Sequence, residues 1–453
     1  MRVGHFAAVL FIFGYGSQTQ AQEADPTAMM TAFEAGGSRV AAIAYSLGRQ
    51  RRLCADDEHL PLNPASLMKV LTSTAALTFM GPDAVFVTRY STDDLSGGVA
   101  RQLYVKGGGD PSIDDQRLEN LAKNLLRAGV RRIAGDIVID QSYFDGFEFD
   151  GRIPSRGWTY NFPVSAFAVN FNSFGGVPPA FGGKPEMVVR KTRRGRKVSR
   201  PTGKGPGSFK IAGGQQIFTQ ANGKIISAPA KGGLTQDPTF YAGAMLKWFL
   251  EREGIVVDGQ ITSGKAKGGL TLFEDQSASL AIVLQRMNKK SNNFMAETVL
   301  KALAAKVYGQ PGSTAKGVQA LRSFLEQIGV PKTDYKIVNG SGLSRQNRLS
   351  PHAILKTLVY AYRSPELQRD FLATLAIAGE DGTLKKRLRV PELVGNVYAK
   401  TGTLNDTIAL SGFLTAHSGD KVVFAIITNR MAGDKGDFHK LEEDFLKAAY
   451  WAY

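Results

Sequence analysis

A serine and a lysine three positions apart are the first residues of this sequence that could do chemistry together. Ser66 and Lys69 lie in the segment PASLMK (64–69), where the pattern predicts Ser66 as the N-cap of a helix. Because helix positions three apart share a face, the Lys69 amine would lie beside the Ser66 hydroxyl. A helix N-terminus favours a neutral lysine, which can activate a serine nucleophile without histidine.

Two further short patterns carry polar groups suited to binding a substrate. Ser291 and Asn293 supply a hydroxyl and an amide at a turn between two predicted helices. Lys400 and Thr401 stand at a predicted strand edge, where they can hold a carboxylate, and Gly402 leaves room for its approach. Each pattern alone is common, so a capping serine, a solvated lysine and an ordinary helix junction remain open explanations.

Apolar spacing predicts the elements that must position these residues. The Ser66 helix would run to Gly81, and three successive strands near the C-terminus would carry Lys400. The expected helices are 118–126, 241–253, 280–287, 294–307, 315–328, 351–362 and 438–451, and the expected strands are 39–47, 85–90, 103–105, 137–140, 397–402, 408–416 and 421–429. Sequential strands packed under helices predict an antiparallel sheet in an α/β sandwich.

Composition limits the class of protein. The chain has 453 residues, 43% of them hydrophobic, which is ample for a large core and predicts two or three domains. Charged residues make up 21%, so extensive disorder is excluded. The net charge of +16 indicates an anionic partner surface. The single cysteine, Cys54, excludes an intrachain disulfide.

Residues 1–21 predict a cleavable secretory signal. Arg2 precedes an apolar run, Phe6–Tyr15, that is too short to span a bilayer, and small residues end the segment at Ala21. Secretion argues against nucleic acid as the anionic partner. It favours cell-wall polymer or a membrane surface.

A basic segment interrupts the middle of the chain. Residues 191–204 read KTRRGRKVSRPTGK, and glycine and proline punctuate the surrounding residues 182–235. The composition favours a β-rich or loop-rich subdomain. Its charge has two explanations, a solvated face or a surface that docks on anionic wall polymer or lipid head groups.

The order of the three patterns carries a family resemblance. S-x-x-K, then S-x-N, then K-T-G resembles the signature of the penicillin-recognising serine acyltransferases. Within them the chain is similar to the class C low-molecular-mass penicillin-binding proteins, the D-alanyl-D-alanine carboxypeptidase/endopeptidase family. Ser291 follows Ser66 by 225 positions, and this long separation is similar to the one that class C proteins have because of an inserted domain. Further matching blocks are GGGDP (107–111), GDIVID (135–140), NGSGLSR (339–345), AGEDGTL (378–384) and KTGTL (400–404).

The resemblance implies a fold and a domain order. The fold would be an α/β penicillin-recognising serine transferase sandwich of antiparallel sheet and helices, with an inserted β-rich domain that carries a nested subdomain. The implied divisions are a signal peptide (1–21), a catalytic domain (22–84 and 265–453), an inserted domain (85–181 and 236–264) and a nested basic subdomain (182–235). Asn339 stands where the family often has aspartate, a change that leaves the chemistry intact.

The resemblance also implies how the acyl group would be transferred. Ser66 would attack the penultimate D-alanine carbonyl of a peptidoglycan stem peptide, or a β-lactam, with Lys69 as general base. Ser291 would relay the proton to the leaving amine, helped by Lys69 and Lys400. Backbone N–H groups of Ser66 and Thr403 would hold the oxyanion.

The remaining implied roles concern substrate recognition. Asn293 would bind the peptide backbone of the acyl donor, and Lys400 with Thr401 the terminal carboxylate. Asp140 and Arg345 would recognise the amine and carboxylate of a diaminopimelate side chain, although Asp140 could equally end its strand as a turn former. The family acts in the periplasm and without a cofactor.

Three alternative functions have discriminating features. A serine β-lactamase needs a further deacylating base, such as a tyrosine at position 291 or an E-x-x-L-N pattern, and the sequence has neither. A catalytically silent wall-binding protein has no need of an intact set of motifs. A Ser-His-Asp or zinc hydrolase would need a matching motif, and none involves the five histidines: His5, His59, His352, His417 and His439. We therefore expect no metal at the site.

Overall fold

The computed structural model describes residues 31, 34–147, 163–172, 237–267 and 269–452, and the backbone of five strands between 187 and 229. The predicted signal peptide (1–21) lies outside the described residues. The side chains of the basic segment also lie outside them.

The secondary structure follows the expected order along the chain. The strands are β1 (Arg39–Ser46), β2 (Arg51–Asp56), β3 (Val87–Thr92), β4 (Leu95–Ser96), β5 (Val99–Ala100), β6 (Leu103–Lys106), β7 (Arg132–Ile133), β8 (Ile137–Asp140), β9 (Met187–Lys191), β10 (Lys197–Pro201), β11 (Gly207–Ala212), β12 (Gln215–Gln220), β13 (Ile225–Pro229), β14 (Val256–Val257), β15 (Ile261–Ser263), β16 (Leu270–Gln276), β17 (Tyr335–Lys336), β18 (Arg348–Leu349), β19 (Ala376–Ile377), β20 (Val397–Leu404), β21 (Thr407–Thr415) and β22 (Lys421–Asn429). The helices are α1 (Met68–Met80), α2 (Asp115–Arg127), α3 (Pro238–Arg252), α4 (Leu280–Lys290), α5 (Asn293–Tyr308), α6 (Thr314–Gln327), α7 (Pro351–Arg363), α8 (Pro365–Thr374) and α9 (Lys435–Trp451).

The central sheet is antiparallel throughout, in the order β19-β20-β21-β22-β1-β2. Both faces are buried, which explains the continuous apolar runs in its strands. In β22, Val423 and Ile427 pack into the core shared with α1 and α7, whereas Val422 and Phe424 pack into the core shared with α9. The predicted α/β sandwich is confirmed.

Helix α1 lies at the centre of the helical layer. Every residue from Met68 to Leu77 is buried, and the helix ends before Gly81, as expected. Because this helix is enclosed on all sides, any charged group on it must find partners inside the protein. Lys69 is such a group.

A second core lies in the inserted part of the chain. Two sheets, β15-β8-β6-β3-β16 and β14-β7-β5-β4, pack with helices α2 and α3 around this core. Some of their strand pairs are parallel, β6 with β8 and β8 with β15, so the sheets of this β-rich part are mixed and not purely antiparallel. Strand β16 pairs with β3, although the predicted division places residues after 264 in the catalytic part. The division itself stays a prediction.

The described backbone between residues 187 and 229 consists of five strands. β9 pairs with β10, and β11, β12 and β13 form a three-stranded antiparallel sheet. This agrees with the β-rich composition of residues 182–235. None of the described helices is long and apolar enough to cross a membrane.

Candidate active site

Ser66 lies in the middle of a short 3-10 turn, Ala65–Leu67, that leads into α1. No side chain caps either the turn or the helix, so the prediction of Ser66 as an N-cap is wrong. Ala65, directly before it, has a φ of 46°, a left-handed conformation that is strained for alanine. Such a backbone persists only where surrounding contacts hold it.

Close backbone contacts supply that support. The Ala65 amide donates to Asn63 Oδ1 at 2.9 Å. A Cβ at Gly342, whose φ is +83°, would lie 1.8 Å from the Ala65 carbonyl oxygen, and a Cβ at Gly402 would lie 2.8 Å from that of Pro64. The missing Gly402 side chain therefore makes room for the turn that carries Ser66, and its role in the approach of a substrate carboxylate stays a prediction.

The Lys69 amine reaches Ser66 from the first turn of α1. Lys69 Nζ lies 3.0 Å from Ser66 Oγ, 2.8 Å from Asn293 Oδ1 and 2.6 Å from the Ser341 carbonyl oxygen. The two carbonyl-type oxygens can only accept, whereas the hydroxyl can also donate. A neutral amine therefore satisfies all three contacts, with two N–H groups on the oxygens and its lone pair on the Ser66 hydroxyl.

Burial makes the neutral amine accessible near neutral pH. Lys69 is fully buried, and this burial lowers its pKa to about 7. The nearby Glu297 carboxylate opposes the shift. The lowered pKa agrees with the sequence prediction, but burial is its leading cause, whereas the prediction rested on the helix N-terminus.

Ser291 and Lys400 form a second hydroxyl–amine pair. Ser291 ends α4 in a left-handed conformation with a φ of 53°, and its Oγ accepts from Lys400 Nζ at 2.9 Å. Lys400 also donates to the Thr401 carbonyl at 2.8 Å. Burial and the neighbouring Lys69 lower the pKa of Lys400 well below its usual value.

Strand β20 carries Lys400 next to the sheet edge. It is the second strand of the sheet, but β19 pairs only with its residues Tyr398 and Ala399, so the outer edge is open from Lys400 onward. Thr401 Oγ1 hydrogen-bonds Thr383 Oγ1 at 2.9 Å. The strand edge that the sequence predicted is thus present over the K-T-G residues.

A cleft of about 170 Å³ lies beside Ser66 and Asn293. It is lined by Ser66, Asn293, Gly342, Leu343, Thr403, Leu404, Asn405 and Lys435. The structure therefore brings the three sequence patterns together around the Ser66 hydroxyl. A larger cavity of about 290 Å³ lies at Arg345 and Asp406 and contains none of the groups that contact Ser66, so the chemistry and not the cavity size locates the site.

Two of the predicted recognition residues are engaged elsewhere. Asp140 is 3% exposed, and its carboxylate accepts from the backbone amides of Ser142 and Ala266 at 2.8 and 2.9 Å. Arg345 is paired with Asp406 at 2.9 Å on the protein surface. Among the described residues, no contact joins either side chain to Ser66.

Three residues of the site were not predicted from the sequence. Glu297 is buried and accepts from the Gly340 and Ser341 amides, which holds the loop that supplies the Ser341 carbonyl. Thr383 positions Thr401. Ser341 and Thr383 lie in the blocks 339–345 and 378–384, which already indicated importance, whereas Glu297 is marked only by standing one helical turn after Asn293.

Comparisons with known proteins agree with this arrangement. The chain is 29% identical over 431 residues to a D-alanyl-D-alanine carboxypeptidase of Actinomadura sp. (strain R39), covering 89% of this chain and 79% of the relative. It is 28% identical over 429 residues to the D-alanyl-D-alanine carboxypeptidase DacB of Haemophilus influenzae, covering 87% and 86%.

A solved structure and a family description extend the comparison. The crystal structure of penicillin binding protein 4 (dacB) from Haemophilus influenzae superposes with a TM-score of 0.75 at 25% identity, covering 94% of this chain and 99% of that one. The same protein has also been solved in complex with a β-lactam, with a TM-score of 0.71 at 24% identity. Residues 26–183 and 221–445 match the D-Ala-D-Ala carboxypeptidase 3 (S13) family, to which this chain belongs.

Proposed function

We propose that this protein is a serine D,D-peptidase of peptidoglycan that works through a Ser66 acyl-enzyme. The observation that carries the proposal is the contact between the Ser66 hydroxyl and the buried Lys69 amine, whose pKa of about 7 makes it a base near neutral pH. Membership in the S13 family supplies the substrate class, the D-alanyl-D-alanine end of a stem peptide.

Acylation begins when Lys69 takes the Ser66 proton. Ser66 Oγ then bonds to the carbonyl carbon of the penultimate D-alanine. The backbone amides of Ser66 and Thr403 stabilise the oxyanion, and one such donor typically contributes roughly 3 kcal/mol. The C–N bond breaks as Ser291, paired with Lys400, passes its proton to the departing amine and receives in turn the proton that Lys69 took from Ser66.

Substrate binding falls to the groups around the nucleophile. Asn293 holds the backbone of the acyl donor through its amide N–H, because its Oδ1 accepts from Lys69. Lys400 and Thr401 bind the terminal carboxylate. Water then hydrolyses the ester, which releases the shortened peptide and frees Ser66. A β-lactam enters the same pathway at the acylation step.

Carboxypeptidase and endopeptidase activity share this acyl-enzyme. The test is to incubate the purified protein with uncross-linked pentapeptide muropeptides and with cross-linked dimers, and to separate the products by liquid chromatography. We expect cleavage of one or both substrates by the native protein and none by Ser66→Ala. Equal turnover by Ser66→Ala would exclude the proposed nucleophile.

The location and surface contacts belong to the same proposal. The apolar N-terminal segment supports secretion to the periplasm, and the charge of residues 191–204 supports docking on anionic wall polymer or lipid head groups. Recognition of diaminopimelate by Asp140 and Arg345 rests on the family resemblance alone. The contacts of Asp140 favour a structural role for it.

A further inference from the structure

A second group of side chains suited to chemistry lies apart from the Ser66 cleft. His59 and His352 both direct Nδ1 at the Asp334 carboxylate, at 3.0 and 2.9 Å from Oδ2. Their ring centroids are 4.3 Å apart. The histidines stand almost three hundred positions apart in the chain, which is why no sequence motif indicated them.

Asp334 is crowded on one oxygen. Besides the two imidazoles, Ser350 Oγ lies 2.9 Å from Oδ2, so three groups surround an oxygen that has two lone pairs. The other oxygen has only longer contacts, 3.2 Å to His59 and 3.4 Å to Thr333. A cation between Oδ2 and the imidazoles would explain the crowding, because each ring would then offer a lone pair instead of an N–H.

We propose that His59, His352 and Asp334 bind one Zn²⁺ ion. Two neutral imidazoles and a carboxylate are a donor set that tetrahedral zinc accepts, with the fourth position left to water. Bonds of about 2.0–2.1 Å place neighbouring ligand atoms about 3.3 Å apart. The observed separations of 2.9 and 3.0 Å between the nitrogens and Oδ2 need only a small expansion.

The surroundings suit an ion at this place. Asp334 is 1% exposed, so its negative charge is buried and needs compensation. Glu58 lies against the other ring nitrogen of His59, with Oε1 3.4 Å from His59 Nε2 and 2.6 Å from the Arg52 guanidinium, so the Glu58–Arg52 pair helps to hold the imidazole with Nδ1 towards Asp334. A cavity of about 290 Å³ borders both histidines and opens the cluster to solvent, although Arg52, Lys356 and Arg363 also line it.

The ion would brace the segment that leads to the nucleophile. The His352 amide donates to the Glu58 carbonyl at 2.9 Å, and Leu62 and Leu349 exchange backbone hydrogen bonds. Zinc would therefore join the segment before Ser66, the loop at Asp334 and the start of α7 at one point. This role is structural, and it is separate from the acyl transfer at Ser66.

The test uses the full secreted chain, stripped with a chelator and dialysed. Bound Zn²⁺ is measured by elemental analysis, and Co²⁺ is titrated while its visible absorption is recorded. The variant His59→Ala removes a ligand that is 54% exposed, so its fold should be retained. His417→Ala, at an exposed histidine outside the cluster, is the matched control.

We expect one equivalent of Zn²⁺ in the native protein and in His417→Ala, with an intense Co²⁺ absorption typical of tetrahedral sites. His59→Ala should bind at least about tenfold more weakly. Zinc should raise the melting temperature of the native protein and of His417→Ala but not of His59→Ala. No metal uptake by the native protein, or equal uptake by His59→Ala, would overturn the proposal, whatever the result for peptide cleavage.

Discussion

Lys69 combines deep burial with a complete set of hydrogen-bond partners. Two of them, Asn293 Oδ1 and the Ser341 carbonyl, fix the direction of its N–H groups, and the third is the Ser66 hydroxyl. Burial disfavours the charged form, and the fixed oxygens orient the lone pair of the neutral form. Lys69 is therefore oriented to accept a proton from the Ser66 hydroxyl.

The lowered pKa of Lys69 predicts a pH dependence. Only neutral Lys69 can take the Ser66 proton, so the acylation rate with a fluorescent penicillin should rise with pH and have its midpoint near 7.

The free energy of unfolding should also rise with pH. Because the folded pKa lies below the ordinary value of 10.5, the contribution of Lys69 to stability is full above 10.5 and is lost as pH falls through about 7. Acylation rates from quenched time courses and melting temperatures, both measured as a function of pH, would test the two predictions.

The variant Glu297→Gln checks the assignment of the midpoint. The Glu297 carboxylate raises the pKa of Lys69, so its removal should shift the midpoint of the acylation profile to lower pH. A purely structural role of Glu297 would lower the rate and leave the midpoint in place. A midpoint that stays at its native value would therefore contradict the electrostatic coupling of Glu297 to Lys69.

At the scale of elements, the active site depends on three backbones in contact. The 3-10 turn at Ser66 packs between Gly342 and strand β20 at Gly402. These contacts hold Ala65 in its left-handed conformation. The nucleophile is thus positioned by its neighbours in space and not by the helix that follows it.

Gly402→Ala tests this packing. The added Cβ would lie 2.8 Å from the Pro64 carbonyl oxygen, so the turn or the strand must move. We expect a loss of about 1–3 kcal/mol in the free energy of unfolding and slower acylation of Ser66. Denaturant unfolding and penicillin labelling measure the two effects.

Gly146→Ala is the matched control, because an added Cβ there has no heavy atom within 4 Å. It should leave stability and labelling near their native values. If Gly402→Ala behaved like this control, the close approach of β20 to the turn would not be needed for the site.

Local sequence patterns were sufficient to predict most helices and strands but not the 3-10 turn at Ser66. The pairs Asp237-Pro238 and Ser350-Pro351 cap the starts of α3 and α7 as their types predict. Ser66 shows the same kind of local pattern but is not a cap. Its backbone is decided by residues that follow it by more than 270 positions, which no local pattern contains.

At the scale of the molecule, the cleft gathers side chains from three distant parts of the chain. The three motifs predicted the residues of the site, and the fold explains how they come together around Ser66. Glu297 could not be found in this way, because an acidic residue inside a helix gives no signal until its buried partners, the Gly340 and Ser341 amides, are known. The reverse holds for Asp140, for which the family resemblance implied substrate recognition, whereas its carboxylate accepts hydrogen bonds from backbone amides.

Asp140→Ala separates these two roles. Loss of the carboxylate leaves the Ser142 and Ala266 amides without their acceptor, which should lower the free energy of unfolding by roughly 1–3 kcal/mol. Cleavage of diaminopimelate-containing peptides and of simple D-Ala-D-Ala peptides should then fall by the same factor. A larger loss on the diaminopimelate substrate would show that Asp140 contacts the side chain, as the family resemblance implies.

The roles of Ser66 and Lys69 can be tested by intact-protein mass spectrometry after incubation with benzylpenicillin, followed by peptide mapping. The native protein should gain one penicilloyl group on Ser66, and Ser66→Ala should gain none. Lys69→Met, which fills the buried site without a base, should remain folded and acylate about 100- to 10,000-fold more slowly. A penicilloyl group on another residue, or acylation of Lys69→Met at the native rate, would contradict the assignment of Ser66 and Lys69 as nucleophile and base.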